Sequence, residues 1–293
     1  MERPLTPYFD IFRQKGIFFE KKDGVLTVQG DLPPGEYALP GDVSSQFFTG
    51  LLLALPLRDG PSVLVPTTPL ESEGYITLTA QAMDAFGVAS LSSPSLPPRY
   101  SVSGGQVYRP ARVRVEADWS QAGVWYAIRG LGSPVETVGL DPNSAQGDRI
   151  LAQYSRMLDG PGEAVLDAAQ CPDLVPTLAA HAALREGKVT RIVNAGRLRL
   201  KESDRLAAVA EELNRLGGRV EEGGDFLAIT GVKELRGGRA DCHNDHRIAM
   251  MLAAAATRCA GEVALAGAEC VAKSYPDFWE EYRRLGGILR REA

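Results

Sequence analysis

The residues best suited to chemistry lie in one short stretch, 199–206, which carries five ionisable side chains at the start of a predicted amphipathic helix. In helical geometry Lys201 and Arg205 share a face, and Glu202 stands between them in the sequence. Two like charges four residues apart repel by roughly 0.2–0.5 kcal/mol, so an ordinary helix would not favour this pair. A solvated charged face is one interpretation. The other is an anion-binding site that contains a carboxylate able to carry a proton.

Polar clusters precede four helices that are predicted to be buried because they are apolar on nearly every side. Serine and aspartate cap helices well, but capping alone does not explain why several polar residues stand together. Arg247 opens one of these helices, where an unpaired guanidinium would be costly. Converging helix N-termini with added hydroxyls and cations form a site for phosphate and carboxylate groups. The clusters are 41–46, 116–121, 171–173 and 243–247.

A long internal repeat organises the chain, and its unit is a buried helix, a strand, an exposed helix and a pair of strands. One unit cannot cover its own buried helix, so several must pack together. The predicted buried helices are 46–57, 119–129, 174–184 and 247–259, each followed by a strand at 62–65, 136–140, 190–193 and 262–266. The exposed helices are 8–16, 75–87, 149–160, 204–218 and 278–287, and the strand pairs include 17–20 with 25–29 and 219–222 with 226–229.

The repeat also predicts the domain organisation, because the chain enters it in mid-unit. We expect residues 1–117 to form a partial first domain of about one and a half units. Residues 118–293 are expected to form a second domain of about three units.

Composition limits the classes of partner and the compartment. The chain has 293 residues and a net charge of −5 without a Lys/Arg-rich run, which argues against nucleic acid as a partner. The longest apolar run, 47–57, is shorter than the roughly 20 residues that span a bilayer, and no signal peptide follows Met1. The four cysteines form no C-x-x-C pair and are expected to be buried thiols in a reducing compartment. We therefore expect a cytoplasmic protein that binds neither nucleic acid nor membrane.

Competing motifs are weak. Gly130 and Gly132 do not continue into a G-x-G-x-x-G fingerprint, and the chain contains no G-x-x-x-x-G-K-[ST] loop. No arrangement of Ser, His and Asp suggests a nucleophile elbow. Cys242, His243 and His246 have spacings at which a metal site is conceivable, but no second ligand pair completes it, so we expect no metal.

Together the motifs resemble those of one family, the 5-enolpyruvylshikimate-3-phosphate (EPSP) synthases. They occur in the family's order along the chain, at 2–4, 41–47, 71–72 with Tyr75, 172–173, 201–206, 245–250 and 272–277. The resemblance implies an α/β protein with the two-domain enolpyruvyl transferase fold, built of repeated βαβαββ units with buried helices and with an incomplete first domain. The first domain would hold shikimate 3-phosphate and the second phosphoenolpyruvate.

The resemblance also implies a reaction. The enolpyruvyl group of phosphoenolpyruvate would be transferred to the 5-hydroxyl of shikimate 3-phosphate with release of phosphate, a step of the shikimate pathway to chorismate and the aromatic amino acids. No metal or organic cofactor is implied, and a monomer is expected.

The family's roles fall on matching positions of this sequence. Asp173 would take the proton of the attacking 5-hydroxyl, and Glu202 would deliver and recover the proton at the methylene carbon. The implied ligands of shikimate 3-phosphate are Ser44, Ser45, Gln46, Ser72, Tyr75, Asp173 and Lys201. The implied ligands of phosphoenolpyruvate are Arg3, Gln46, Arg205, Arg247 and Lys273.

Two departures from the family pattern keep alternatives open. The family's N-terminal region carries a Lys-Ser pair, an Arg and a Gly-rich loop that contact the substrates, and nothing like it precedes Met1. The position four residues before Lys201, often Asn in the family, is Arg197. One alternative is a non-catalytic fragment that binds anions. Another is the sibling UDP-N-acetylglucosamine enolpyruvyl transferase, although the Ser-Ser-Gln and Lys-Glu-Ser-Asp-Arg motifs favour the shikimate member.

Overall fold

The computed structural model describes residues 5–93 and 98–291, and in this part of the chain two compact units are found. The smaller unit comprises residues 5–93 and 98–115 together with 145–147, and the larger comprises 116–144 and 148–291. Each unit contains its own hydrophobic core. Arg3, predicted to bind phosphoenolpyruvate, lies outside the described residues.

The smaller unit contains a four-stranded mixed sheet and a separate two-stranded hairpin. The two helices of this unit that were predicted to be exposed end just before Gly16 and Gly87, the glycines of the sequence pattern. The elements in chain order are α1 (Thr6–Lys15), β1 (Phe18–Lys22), β2 (Val25–Gln29), β3 (Gly35–Leu39), α2 (Gln46–Ala54), β4 (Ser62–Pro66), α3 (Glu73–Ala85), β5 (Ser90–Ser93) and β6 (Arg99–Val102).

In the four-stranded sheet the strand order is β3-β4-β6-β5. The first pair, β3 and β4, is parallel and is connected by α2, as a parallel pair requires a crossover. The other two pairs are antiparallel. The core lies between α2 and the sheet and includes Phe48, Leu52 and Leu64. The prediction that 46–57 is a wholly buried helix is partly wrong, because α2 ends at Ala54 and Leu53 and Leu57 are exposed.

The larger unit repeats this architecture with more helices packed inside. Its helices and strands alternate along the chain in the order that the repeat predicted, with one exception described below. The elements are α4 (Trp119–Gly130), α5 (Leu151–Asp159), β7 (Ala164–Asp167), α6 (Val175–Ala183), β8 (Val189–Val193), α7 (Arg205–Arg215), β9 (Val220–Glu222), β10 (Leu227–Thr230), β11 (Gly238–Asp241), α8 (His246–Ala256), β12 (Val263–Ala266) and α9 (Phe278–Arg284).

The second four-stranded sheet has the order β7-β8-β10-β9, which is the same sequence of first, second, fourth and third strand as in the smaller unit. Its first pair is again parallel and the next two pairs are antiparallel. A third parallel pair, β11 with β12, is connected by α8. The βαβαββ repeat is therefore confirmed in both sheets.

The buried helices of the larger unit form its centre. Every residue of α6 is buried, as are residues 246–255 of α8. A helix that is apolar on all sides needs neighbours on all sides, and here α4, α7 and the sheets supply them. The apolar pattern in the sequence therefore located these two helices correctly.

One predicted strand is wrong. Residues 136–140 form no strand. Gly139 has a left-handed φ of 79°, which interrupts an extended run, and Val138 is exposed to solvent. Among the described residues, none of the helices combines the length and the apolar character that crossing a membrane needs.

Candidate active site

The predicted site residues of the larger unit all follow carboxyl ends of parallel strands. Asp173 follows β7, Lys201 and Glu202 follow β8, Arg247 follows β11, and Lys273 follows β12. The carboxyl ends of neighbouring parallel strands lie at the same edge of a sheet, where ligands of α/β proteins bind. The repeat thus brings together side chains that are far apart in the sequence.

Arg205 lies at the centre of this cluster and is only 1% exposed. Its Nε and Nη2 atoms donate to the two carboxylate oxygens of Asp245, at 2.7 and 3.2 Å. Nη1 donates to Asp173 Oδ1 at 2.8 Å, and Nη2 also donates to Glu202 Oε2 at 2.7 Å. A buried charge is tolerated when it is paired and hydrogen-bonded in this way. Arg205 therefore holds three carboxylates in fixed positions.

The prediction that Lys201 and Arg205 share one face of a helix is wrong. Helix α7 begins at Arg205, with Asp204 as the N-cap, whose side chain accepts a first-turn backbone N–H at 3.1 Å. Lys201 precedes the helix and has extended backbone after the 3₁₀ turn Gly196–Leu200. Lys201 Nζ still reaches Asp173 Oδ1, at 3.3 Å, which is the oxygen that Arg205 binds. The two cations meet through the fold and not through helical spacing.

Asp173, the predicted base, is surrounded by cations. Burial by itself raises the pKa of its carboxyl group, but Lys201, Arg247 and Arg205 outweigh burial and hold the pKa well below the ordinary value of 3.8. The carboxylate is therefore ionised at neutral pH. An ionised carboxylate can accept a proton, and it can also accept hydrogen bonds from a hydroxyl group.

Glu202, the predicted proton carrier, is bonded to two cations. Its Oε1 atom accepts from Lys273 Nζ at 2.7 Å, and its Oε2 atom accepts from Arg205. Burial raises the pKa of Glu202, but Arg205 and Lys273 outweigh it and lower the pKa to about 2. In this arrangement Glu202 is a carboxylate, so it becomes an acid only when these cations are drawn away from it.

Arg247 is buried as well, but its hydrogen-bond partners are neutral. Nη1 donates to Ser120 O at 3.0 Å and Nη2 donates to Ser120 Oγ at 2.7 Å. The closest carboxylate oxygen with which it forms an ion pair is Asp173 Oδ2, at 3.8 Å. Among the residues that the structure describes, Arg247 Nε has no hydrogen-bond partner. Its guanidinium is therefore hydrogen-bonded by neutral groups, and its ion pair with Asp173 is long, at 3.8 Å, so it is able to bind an anionic ligand.

The predicted ligands of the smaller unit also lie beyond the carboxyl ends of a parallel pair. Ser44 and Ser45 follow β3, and Gln46 is the first residue of α2. Ser72 follows β4, and Tyr75 lies in the first turn of α3. The two loops are in contact, since the backbone N–H of Glu71 donates to the carbonyl oxygen of Gly41 at 3.1 Å. Ser72 has a left-handed φ of 53°, which is uncommon for a residue other than glycine and typical of functional loops.

Several residues of the cluster were not assigned a role from the sequence. Asp245 is buried, binds Arg205 and accepts from Ser203 Oγ at 3.0 Å. His246 lies next to it, and burial together with Arg247 and Arg205 lowers its pKa to about 4, so its ring is neutral at pH 7. The polar clusters before the buried helices contain these residues and Ser120, and that excess of polar residues was the available signal.

Arg197, which stands where the family often has Asn, lies in the 3₁₀ turn Gly196–Leu200. Its Nη2 atom donates to the carbonyl oxygen of Ala169 at 3.3 Å. This contact directs the guanidinium toward the loop that leads to Asp173.

One group of potential metal ligands is found among the described residues, and it includes His243, one of the three positions considered for a metal site in the sequence, but neither Cys242 nor His246. The group consists of Glu211, Glu212 and His243. The Glu212 carboxylate accepts from His243 Nε2 at 3.1 Å, from the backbone N–H of Asp241 at 3.1 Å, and pairs with Arg215 Nε at 3.2 Å. These contacts account for the group as a network of hydrogen bonds and ion pairs within the protein.

Comparison with known proteins identifies the family. The family model of EPSP synthase (3-phosphoshikimate 1-carboxyvinyltransferase) matches residues 1–282. The 3-phosphoshikimate 1-carboxyvinyltransferase of Clostridium kluyveri is 43% identical over 306 residues, covering 99% of this chain and 71% of the relative. That of Clostridium perfringens is 42% identical over 312 residues, covering 99% of this chain and 72% of the relative.

The fold agrees with this result. The solved structure of EPSP synthase from Acinetobacter baumannii has a TM-score of 0.76 and 24% sequence identity, covering 97% of this chain and 71% of that one. The structural likeness supports the α/β enolpyruvyl transferase fold that the sequence motifs implied. With the family model matched over nearly the whole chain, this protein belongs to the EPSP synthase family.

Proposed function

We propose that this chain transfers the enolpyruvyl group of phosphoenolpyruvate to the 5-hydroxyl of shikimate 3-phosphate and releases phosphate. The names of its curated relatives support this reaction. The observation in the structure that supports it best is the charge balance of the cluster around Asp173. Among the described residues, four cationic side chains are in contact with three carboxylates, so the cations of this set outnumber its carboxylates by one. The cations are Lys201, Arg205, Arg247 and Lys273, and the carboxylates are Asp173, Glu202 and Asp245.

Two of these cations are the best placed to bind an anionic ligand. Arg247 has neutral hydrogen-bond partners, and Lys273 is bonded to Glu202 but remains 56% exposed. A ligand with a phosphate and a carboxylate group can bind both, since charge-assisted hydrogen bonds to these groups are the strong ones. Arg205 is bonded to three carboxylates, so a direct contact of Arg205 with phosphoenolpyruvate requires that one of these bonds opens.

The first chemical step adds the 5-hydroxyl to phosphoenolpyruvate. The oxygen of the hydroxyl forms a bond to C2 and gives its proton to Asp173, while Glu202 gives a proton to the methylene carbon C3, which becomes a methyl group. A general acid works best when its pKa is near the working pH. Glu202 reaches that condition if the bound anion draws Lys273 and Arg205 toward itself, because these cations hold its pKa at about 2.

The second step eliminates phosphate from the tetrahedral intermediate. The bond between C2 and the phosphate oxygen breaks, and the leaving phosphate takes the proton that Asp173 received in the first step. Glu202 takes a proton back from the methyl group, and the enolpyruvyl ether remains. The cations around Asp173 stabilise the negative charge that develops on the leaving phosphate. These proposed steps include no metal ion, and the absence of a metal cofactor stays a prediction from the family resemblance.

The smaller unit supplies the remaining proposed ligands of shikimate 3-phosphate: Ser44, Ser45, Gln46, Ser72 and Tyr75. Their hydroxyl and amide groups lie in the two contacting loops after β3 and β4 and in the first turns of α2 and α3. The N-termini of α2 and α3 in the same loops favour an anionic group. The division into domains at 117/118, the monomeric state and the cytoplasmic location stay predictions.

A phosphate-release assay with both substrates tests the proposal. We expect turnover by the wild-type chain and a loss of about 10²–10⁴-fold in the Glu202→Gln variant. The matched control is Glu222→Gln, since Glu222 is a partly exposed carboxylate of the same unit that pairs with Arg199 at 3.0 Å. Thermal shift measurements with each substrate accompany the assay. Stabilisation without turnover would favour the anion-binding fragment, and turnover with UDP-N-acetylglucosamine would favour the sibling enzyme. If the substrates cause neither stabilisation nor turnover, the proposal is refuted.

A further inference from the structure

The N-terminal turn of α4 holds Arg247, although the two are 127 residues apart in the sequence. Ser120 provides both acceptors: its carbonyl oxygen binds Nη1 at 3.0 Å and its Oγ atom binds Nη2 at 2.7 Å. Ser120 is 4% exposed, so these hydrogen bonds are shielded from water. The contact fixes the plane of the guanidinium, because two of its nitrogens are bonded to one residue.

Asp118 determines which way the Ser120 hydroxyl points. The Ser120 Oγ–H group donates to Asp118 Oδ1 at 2.8 Å, and the same oxygen caps α4 by accepting from the backbone N–H of Ser120 at 2.7 Å. Because the hydroxyl proton is directed to Asp118, the lone pairs of Oγ are available for Arg247. The carboxylate thus supports the cation through an intervening hydroxyl group without contacting it.

We propose that Ser120 is a positioning residue that aims the Arg247 guanidinium at an anionic group of the substrate without itself placing a negative charge beside it. Arg205 shows the contrasting case, since it is bonded directly to three carboxylates. A neutral hydroxyl and a neutral carbonyl fix an arginine without competing with the ligand for its charge. The inference rests on the proposed function and adds a residue to which the family resemblance gave no role.

Loss of the hydroxyl has a specific consequence. In Ser120→Ala, Arg247 keeps its bond to the carbonyl oxygen, and the adjacent carboxylate oxygen, Asp173 Oδ2 at 3.8 Å, becomes the better partner for Nη2. The guanidinium then turns toward Asp173 and pairs with it. A hydrogen bond to a charged group corresponds to roughly a 10- to 100-fold change in affinity, so we expect phosphoenolpyruvate to bind that much more weakly. Binding of shikimate 3-phosphate should change by less than about threefold, since most of its proposed ligands are elsewhere.

Three variants test this inference. Ser120→Ala removes the hydroxyl, Ser120→Thr retains it, and Ser155→Ala is the matched control. Ser155 is a buried serine of α5 in the same unit, and its Oγ atom has no hydrogen-bond partner among the described residues. Dissociation constants for phosphoenolpyruvate and for inorganic phosphate are measured by calorimetry, together with melting temperatures. Crystal structures of the wild type and of Ser120→Ala locate the Arg247 guanidinium directly.

The inference predicts weak phosphoenolpyruvate binding in Ser120→Ala, recovery in Ser120→Thr, no change in Ser155→Ala, and a guanidinium displaced toward Asp173. It is overturned if Ser120→Ala binds as tightly as the wild type, if Ser120→Thr is as weak as Ser120→Ala, or if the guanidinium keeps its place in the variant. A wild-type chain that binds neither phosphoenolpyruvate nor phosphate would contradict the proposed function. The crystal structures would still decide whether Ser120 positions Arg247.

Discussion

Replacing Arg205 with methionine is expected to destabilise the larger unit severely. The guanidinium is 1% exposed and is bonded to Asp173, Glu202 and Asp245. Methionine fills part of the space of the side chain but removes the charge. Asp245 suffers most, because its side chain is fully buried, whereas Asp173 keeps Lys201 as a partner.

The magnitude follows from the cost of an uncompensated charge. Removing one member of a buried ion pair costs about 3–5 kcal/mol, because the other charge stays buried. We therefore expect the free energy of unfolding to fall by about 3–5 kcal/mol, a large part of the roughly 5–15 kcal/mol that stabilises a typical domain. Adding Asp245→Asn to the variant should restore part of the loss. An asparagine is neutral and can still accept the bond that Asp245 Oδ1 receives from the backbone N–H of Arg247, at 2.9 Å.

Urea unfolding followed by tryptophan fluorescence measures this effect in the correct unit. The chain has three tryptophans, at 119, 125 and 279, and all of them lie in the larger unit. The matched control is Arg284→Met on α9 of the same unit. Arg284 is 65% exposed and pairs with the partly exposed Glu281 at 2.5 Å, so its loss should have little effect on stability.

The reasoning fails if Arg205→Met loses less than about 1 kcal/mol, or no more than Arg284→Met. It also fails if Asp245→Asn restores nothing in the double variant. In either case the buried carboxylates would not depend on Arg205 for their compensation.

Three further outcomes are expected. Lys273→Met should change the unfolding free energy by less than about 1 kcal/mol, because the lysine is 56% exposed, but should raise the KM for phosphoenolpyruvate at least tenfold in the phosphate-release assay. Asp173→Asn should lower kcat by about 10²–10⁴-fold with a small change in substrate affinity, measured in the same assay. Glu202 has its pKa lowered from 4.5 to about 2, so it contributes stability above pH 4.5 that is lost as the pH falls toward 2. Urea unfolding between pH 7 and pH 3 should therefore show a smaller loss on acidification in Glu202→Gln than in the wild type.

Sequence periodicity predicted the repeat because each element has its own local pattern. Helices such as α6 and α8 are apolar on all sides, and this pattern identifies a buried helix without knowledge of its neighbours. The strand at 136–140 was wrong because apolar spacing does not reveal whether another strand is available to pair with it. Only the fold decides that.

The site was predictable only in part, for a related reason. The motif 201–206 placed Glu202 beside Arg205, and their contact at 2.7 Å is between near neighbours in the sequence. The contacts of Arg247 with Ser120 and of Arg205 with Asp245 join segments 127 and 40 residues apart. No periodicity within one element contains that information. The excess of polar residues before each buried helix indicated where such contacts occur but not which residues make them.

The two buried arginines of the cluster differ in the charge of the groups to which their side chains are hydrogen-bonded, and this difference predicts losses of stability of different size on replacement. Arg247→Met removes a buried cation whose hydrogen-bond partners are neutral, so the cost of burying its charge disappears along with its hydrogen bonds. We expect a loss of no more than about 2 kcal/mol in unfolding free energy, well below that of Arg205→Met, together with loss of phosphoenolpyruvate binding. Urea unfolding followed by tryptophan fluorescence measures the stability of both variants, because both arginines and all three tryptophans lie in the larger unit. If Arg247→Met is as unstable as Arg205→Met, then Arg247 serves the fold and is not held ready for an anion.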